Sequence, residues 1–321
     1  MKNSIYCTLG PSSLKKDFLK FVSNKKSVSL LRLNLSHIEH QNLSNIIKFV
    51  KKYTSKPICI DTEGAQIRTR LLGKKFFINK NKTFKIYFKN KKISLYPPYI
   101  QKKLKVKDIL DIGFENLKLK INKINKNFIL LKCISPGYFE TNKGVHLINR
   151  KIKMNTLTEK DLKCIEVAKK FNISHFALSF TNSLEDIKNF SLLLNGKKKI
   201  FKIETQKAIK NFKYFIRKEN LFLIDRGDLS KDISIENIPK AQRYLFNYIK
   251  NRKNIKIAVA TNLLESMITQ PYPTRAEAND IFNSLEMGCS ALVLAAETAV
   301  GKYPMECINF ADKMLKSFKK K

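Results

Sequence analysis

The chain holds 321 residues, of which 43% are hydrophobic, with only 10 Gly and 9 Pro. That is enough apolar material for one large domain or two ordinary ones, and it excludes collagenous and low-complexity chains. No run approaches the ~18 apolar residues of a transmembrane helix, and the formal charge of +37, from 63 Lys and Arg against 26 Asp and Glu, points first to an anionic partner.

That charge is less specific than its size implies. Only 9 of the 63 basic residues are Arg, and the lysines spread along the whole sequence. Base-reading and phosphate-clamping surfaces favour the bidentate Arg fork. The lysines are therefore taken as solvated surface, and neither a nucleic acid nor a membrane is expected as a partner. The first ten residues, MKNSIYCTLG, lack the apolar core of a signal peptide, so a cytoplasmic protein is expected. None of the six cysteines (Cys7, Cys59, Cys133, Cys164, Cys289, Cys307) forms a C-x-x-C pair. Buried free thiols are the expectation for all of them.

Eight short β-rich apolar runs punctuate the chain, at 5–8, 28–33, 57–61, 175–180, 200–203, 221–224, 255–260 and 291–294. Several are apolar on both faces, as parallel strands covered by helices are. Amphipathic stretches at 43–52, 159–171 and 277–287 lie between them, and a last helix is expected at 305–318. Alternating strand and helix implies right-handed βαβ units. Eight of them predict an α/β fold of the (β/α)8 type, a TIM barrel. The rhythm breaks between Arg70 and Arg150. Alternating strands at 84–88, 117–121 and 128–131, with turn signals at 79–82, Pro97-Pro98 and Pro136-Gly137, predict an inserted all-β domain there. The expected organisation is barrel 1–69, insert 70–150 and barrel 151–321. Active sites of such barrels lie at the C-terminal ends of the strands, so an insert leaving strand three would act as a lid.

Polar residues gather where those strand ends fall. They are Arg32 to His37, Asp61 to Gly64 with Arg68 beyond, Ser179, Lys202 and Glu204, Asp225 to Asp228, Thr261, and Glu297 with Thr298. One such residue is usually a surface charge; a polar group at seven of eight strand ends is a site. Glu204 and Asp228, from neighbouring strands, are suited to a divalent cation with oxygen ligands. Arg32 and Lys202 bring positive charge to an anionic group, as phosphoryl transfer requires. The backbone of Arg226, Gly227 and Asp228 opens a helix and can present N–H groups to a carboxylate. No Walker A or G-x-G-x-x-G motif is present.

Taken together, CTLGPS (7–12), RLNLSH (32–37), DTEGAQIRT (61–69), KIE (202–204), RGDL (226–229), LESM (264–267) with PTRAE (273–277), and ETA (297–299) resemble the pyruvate kinase family in order and spacing. The resemblance spans nearly the whole chain. It implies phosphoryl exchange between phosphoenolpyruvate and ADP in glycolysis, with Mg²⁺ or Mn²⁺ as cofactor and K⁺ as a further cation. Carried over by motif, Arg32 holds the transferring phosphoryl group and Lys202 neutralises charge on it. Glu204 and Asp228 ligate Mg²⁺, and the Arg226, Gly227 and Asp228 backbone binds the substrate carboxylate. Thr261 takes part in protonating the enolate. Asn34, Ser36, Asp61 and Thr62 resemble the K⁺ ligands; His37, Arg68 and Lys143 resemble residues on the nucleotide side.

Departures from the family pattern fall on the nucleotide side. Where the family usually reads D-T-K-G-P-E-I-R-T, this chain has Glu63, Ala65 and Gln66. An anionic Glu63 near a polyphosphate is unfavourable unless its carboxylate turns away, and Gln66 stands where a Glu is associated with K⁺ dependence. Gly113-Phe114-Glu115 replaces an acidic pair and Gly, and Ala295-Ala296 replaces Ser-Gly. These changes keep two further readings open: a related enolpyruvate or 2-keto-acid enzyme with another phosphoryl acceptor, and a non-catalytic relative. Family members carry a C-terminal regulatory domain, whereas this sequence ends after the last barrel helix. Control through such a domain is not expected, and a homodimer through the barrel is compatible with what remains.

Overall fold

The computed structural model describes residues 3–64, 66–88, 92–113, 116–150, 152 and 154–319. The chain divides into two compact units, Met1–Gly64 with Glu159–Lys321, and Ala65–Thr158. In the first, eight parallel strands close into a barrel: β1 (Ser4–Thr8), β2 (Val28–Asn34), β3 (Ile58–Asp61), β4 (His175–Leu178), β5 (Lys198–Ile203), β6 (Leu221–Asp225), β7 (Lys256–Ala260) and β8 (Ala291–Leu294). Each expected run holds one of these strands. β3 starts one residue after Pro57, which has no N–H for a ladder. β4 stops at Leu178 because the chain turns at Phe180, whose φ is 52°. The expected helices are His40–Tyr53, Glu159–Lys170, Arg275–Glu286 and Pro304–Lys319. No helix among the described residues is long and apolar enough to cross a membrane.

Strand parity sorts the barrel residues. Outward positions such as Phe176, Phe201 and Phe222 are buried under the helices. Phe222 meets Phe212 of the helix Gln206–Phe215 edge-on, at 5.1 Å between ring centroids. Each such buried Phe contributes about 1.5–3 kcal/mol. Inward positions form a smaller apolar cluster of Leu30, Cys59, Ala177, Ile200, Leu223, Ala258, Ala260, Ala291 and Val293. Two residues further along five strands, the same inward face carries Arg32, Asp61, Ser179, Lys202 and Asp225. The period of two thus converts an apolar floor into a polar layer at the C-terminal ends of the strands.

The second unit is antiparallel. Seven strands run in the order Thr83–Tyr87, Phe128–Ser135, Leu117–Ile124, Ile109–Ile112, Gly144–Leu147, Ile67–Leu71 and Ile93–Tyr96, and Gly137–Phe139 pairs with Phe76–Ile78. Alternation puts Leu119, Ile121, Ile129 and Leu131 in its core and Lys118, Lys120 and Lys132 outside. The expected limits of 70 and 150 fall inside this unit, because Ile67–Leu71 pairs with Gly144–Leu147 and Ile93–Tyr96. That pairing also places Arg68 in the insert, on Ile67–Leu71, and not at a barrel strand end. All six cysteines are buried and unpaired. Burial pushes the Cys7 thiol up to about 12, which leaves it inert.

Candidate active site

The polar layer of the barrel is a connected set of charges. Arg32 donates through Nε to Asp61 Oδ2 at 2.6 Å and through Nη1 to Thr8 Oγ1 at 2.9 Å, and its Nη2 stands 2.5 Å from the same Asp61 oxygen. Asn34 and Asp61 are register partners on β2 and β3. The Asn34 side chain caps the following turn by accepting from Ser36 N at 3.0 Å. The Thr62 hydroxyl oxygen accepts from Ser179 N at 3.0 Å. Asn34, Ser36, Asp61 and Thr62 therefore stand at two adjacent strand ends, with Asp61 already neutralised by Arg32.

Lys202 sits at the centre, its side chain 5% exposed. Its Nζ lies 2.7 Å from Glu204 Oε1, 3.2 Å from Asp225 Oδ2 and 3.4 Å from Asp61 Oδ2, and donates to Ser179 Oγ at 3.1 Å. Burial opposes the charge on Lys202, but the three carboxylates outweigh it and hold its pKa above the ordinary lysine value. Arg32 is held up in the same way, burial being offset by Asp61 and then Asp225. Glu204 shifts upward: burial is the main cause, Lys202 opposes it, and Asp225 and Asp228 reinforce it. The Glu204 carboxylate also accepts the Phe180 N–H through Oε2 at 2.5 Å. Glu204, Asp225 and Asp228 each offer an oxygen, and the three lie within 4.8 Å of one another. An all-oxygen set of this kind fits Mg²⁺ or Mn²⁺.

A second set closes the β6–β7 side. Arg226 opens the helix Arg226–Ile233 and clasps both Asp280 oxygens with Nη1, at 2.9 and 2.7 Å. Its Nε and Nη2 donate to the Thr261 carbonyl at 3.1 and 2.6 Å. Thr261 is held at φ 70°, a left-handed conformation costly for a β-branched residue. Its Oγ1 accepts the Gly227 N–H at 2.7 Å and donates to the Ala260 carbonyl at 2.6 Å.

Glu63 turns its carboxylate to Lys160, with Oε2 3.3 Å from Nζ, and is buried at 3% exposure. The Glu63 and Gly64 N–H groups donate to Asp161 at 2.8 and 3.2 Å, which fixes the segment. The PTRAE segment acts as a clamp. Thr274 caps the helix Arg275–Glu286 in a capping box with Glu277, whose carboxylate also takes the Ser266 N–H at 2.7 Å.

The structure brings Arg32, Lys202, Glu204, Asp228 and Asp61 together, and Thr261 against Gly227. His37 ends the short turn Leu35–His37 of the barrel unit. Arg68 and Lys143 lie in the insert. The Arg68 guanidinium donates to the Asn142 carbonyl at 3.2 Å, and Lys143 is 3.5 Å from Glu140. Ala65, Phe114 and Glu115, three of the departures from the family pattern, lie outside the described residues. The sequence left Asp225, Ser179 and Asp280 without roles. Parity was the available signal for the first, because Asp225 follows inward-facing Leu223 by two positions.

The fold and site define a (β/α)8 barrel protein with a β insert and a layer of paired cations and carboxylates at its strand ends. The family model for the pyruvate kinase barrel domain matches residues 1–308, and the chain belongs to that family. It is 30% identical to a pyruvate kinase of Thermotoga maritima, over 99% of this chain and 71% of the relative. It is also 30% identical to one of Methanocaldococcus jannaschii, over 98% and 69%. Among solved structures, Cryptosporidium parvum pyruvate kinase superposes with a TM-score of 0.89 at 27% identity, over 99% of this chain and 70% of that one.

Proposed function

We propose that this protein transfers the phosphoryl group of phosphoenolpyruvate to ADP, giving ATP and pyruvate, in the cytoplasm. The observation that carries the reading is the buried layer of Arg32, Lys202 and Glu204, with a partly exposed Asp228 oxygen within 4.8 Å of a Glu204 oxygen. In the transfer, the bond from phosphorus to the enol oxygen breaks, a bond to the terminal ADP oxygen forms, and the enolate carbon takes a proton. Arg32 holds the phosphoryl oxygens, and Lys202 neutralises charge on them and on the enolate. Glu204 and Asp228 hold Mg²⁺ or Mn²⁺, which when bound supplies further positive charge to the same oxygens. The first turn at Arg226, Gly227 and Asp228 binds the substrate carboxylate. The Thr261 oxygen engages the Gly227 N–H, so a substrate carboxylate that takes that N–H releases the oxygen, while the hydroxyl proton remains directed at the Ala260 carbonyl.

Asn34, Ser36, Asp61 and Thr62 are assigned to K⁺, and His37, Arg68 and Lys143 to the nucleotide. The Glu63 carboxylate, neutralised by Lys160, does not oppose the reading. A homodimer through the barrel belongs to the same proposal. The test mixes the full chain with phosphoenolpyruvate, Mg²⁺, K⁺ and each nucleoside diphosphate in turn, and follows pyruvate. Pyruvate formation well above a folded Lys202→Met variant supports the reading. Its absence with every diphosphate, together with thermal stabilisation by phosphoenolpyruvate and Mg²⁺, moves the assignment to another phosphoryl acceptor.

A further inference from the structure

We propose that Asp225 is a positioning residue that keeps the Lys202 ammonium in place when Glu204 turns its oxygens to a divalent cation. The inference rests on the reading of the site given above and adds a residue to it. Lys202 Nζ has three carboxylates in reach, and they are not equally available. Glu204 is the nearest at 2.7 Å, but it also belongs to the trio suited to a cation. An ammonium and a divalent cation repel each other and compete for the same oxygens, so Lys202 cannot keep that contact unchanged.

Asp61 is the farthest at 3.4 Å, and the oxygen it offers is the one Arg32 holds through both Nε and Nη2. Its other oxygen accepts from Ser179 Oγ at 3.3 Å. Asp225 belongs to the same trio as Glu204, but its Oδ2 faces Lys202 at 3.2 Å and, among the described residues, Lys202 is its ion-pair partner. Burying a carboxylate at 4% exposure is costly unless it is paired. Its place is set by the inward parity of β6, at the last residue of that strand, two positions beyond Leu223, the register partner of Lys202 on β5. Asp225 therefore separates two duties that Glu204 alone would have to share, binding the cation and anchoring the lysine.

The deciding experiment is a crystal structure of the full wild-type chain with Mn²⁺, located by its anomalous signal. The expected result is Mn²⁺ on Glu204 and Asp228, Lys202 Nζ withdrawn from Glu204 and within about 3 Å of Asp225, and Asp225 outside the coordination shell. Asp225 bound directly to Mn²⁺, Lys202 still on Glu204, or no Mn²⁺ at these residues each overturns the proposal. A kinetic arm compares D225N and D225E, both first checked for folding by circular dichroism. D225N is expected to lower kcat about tenfold with the KM for ADP changed less than twofold, and D225E to recover part of kcat. An active wild type with an unaffected, folded D225N sinks the inference and leaves the proposed reaction standing. A wild type that makes no pyruvate sinks the reaction, and the Mn²⁺ structure still decides the role of Asp225.

Discussion

The barrel mouth and the β insert use charge in opposite ways. At the mouth, Arg32, Asp61, Lys202, Glu204 and Asp225 are all buried, and each faces an opposite charge within 3.4 Å. In the insert, residues 65–158 hold twenty Lys and three Arg against four carboxylates, and antiparallel alternation turns most of those cations to solvent. The difference follows from strand geometry. Parallel strands covered on both faces bury whatever stands at their ends, whereas an antiparallel sheet with one wet face discharges its polar positions outward. Charge is therefore expensive to alter in the mouth and, away from the buried Asp108 with its Arg150 partner, cheap to alter in the insert, and the net +37 says little about function.

The strongest way to break that contrast is Lys202→Met. It leaves Asp61, Glu204 and Asp225 without their shared cation, and removing one partner from a buried charge set costs about 3–5 kcal/mol. Urea unfolding should show that loss, and the kcat of the proposed reaction should fall about 10³-fold. A stability loss under ~1 kcal/mol would mean the mouth behaves like the surface of the insert. Arg32→Met should be comparably destabilising, since it strips Asp61 of a hydrogen bond and an ion pair and leaves it fully buried.

What the sequence revealed follows the same physics. The barrel strands were legible because a doubly covered strand is a largely apolar run, and the polar residues within them, such as Arg32 and Lys202, fall near the strand ends. Six insert strands were not, because they are short: Phe76–Ile78 and Gly137–Phe139 have three residues each, too few to display a period. Arg32, Lys202, Glu204 and Asp228 could be named because they stand in ordered motifs at strand ends. Asp225 was visible at a strand end but had no partner until β5 and β6 were laid side by side. The Glu63–Lys160 pair joins residues 97 positions apart, a contact that no local pattern encodes.

A sharper measurement concerns the clamp of exposed Thr274 and half-buried Glu277, which is local and intermediate between the two regimes. Thr274→Ala removes the cap of the helix Arg275–Glu286 and should cost about 1 kcal/mol in thermal or urea unfolding. Burial works against the Glu277 carboxylate, but its hydrogen bonds from Ser266 and Thr274 prevail and hold its pKa below the ordinary value. The clamp is therefore fully stabilising above the unfolded-state pKa of about 4.3, and its contribution fades as pH falls through the lower folded value. The stability gap between wild type and Glu277→Gln should be widest at neutral pH and close in acid. A gap independent of pH between 3 and 7 removes the carboxylate from the account.

The smallest effect probes the insert. Lys120 and Lys132 are direct partners on neighbouring strands, Leu117–Ile124 and Phe128–Ser135, with both side chains on the outer face. Like charges placed directly opposite each other destabilise a sheet, and an opposite-charge pair gains roughly 0.2–1 kcal/mol. Lys120→Glu should therefore raise stability slightly, the reverse of what any charge change at the barrel mouth would do. The gain should shrink at high salt, because exposed pairs are screened beyond a Debye length of about 3 Å at 1 M ionic strength. Urea titrations at low and high NaCl read both terms. A destabilised Lys120→Glu variant would show that Lys120 holds a specific contact, and the insert could no longer be treated as a surface of interchangeable charge.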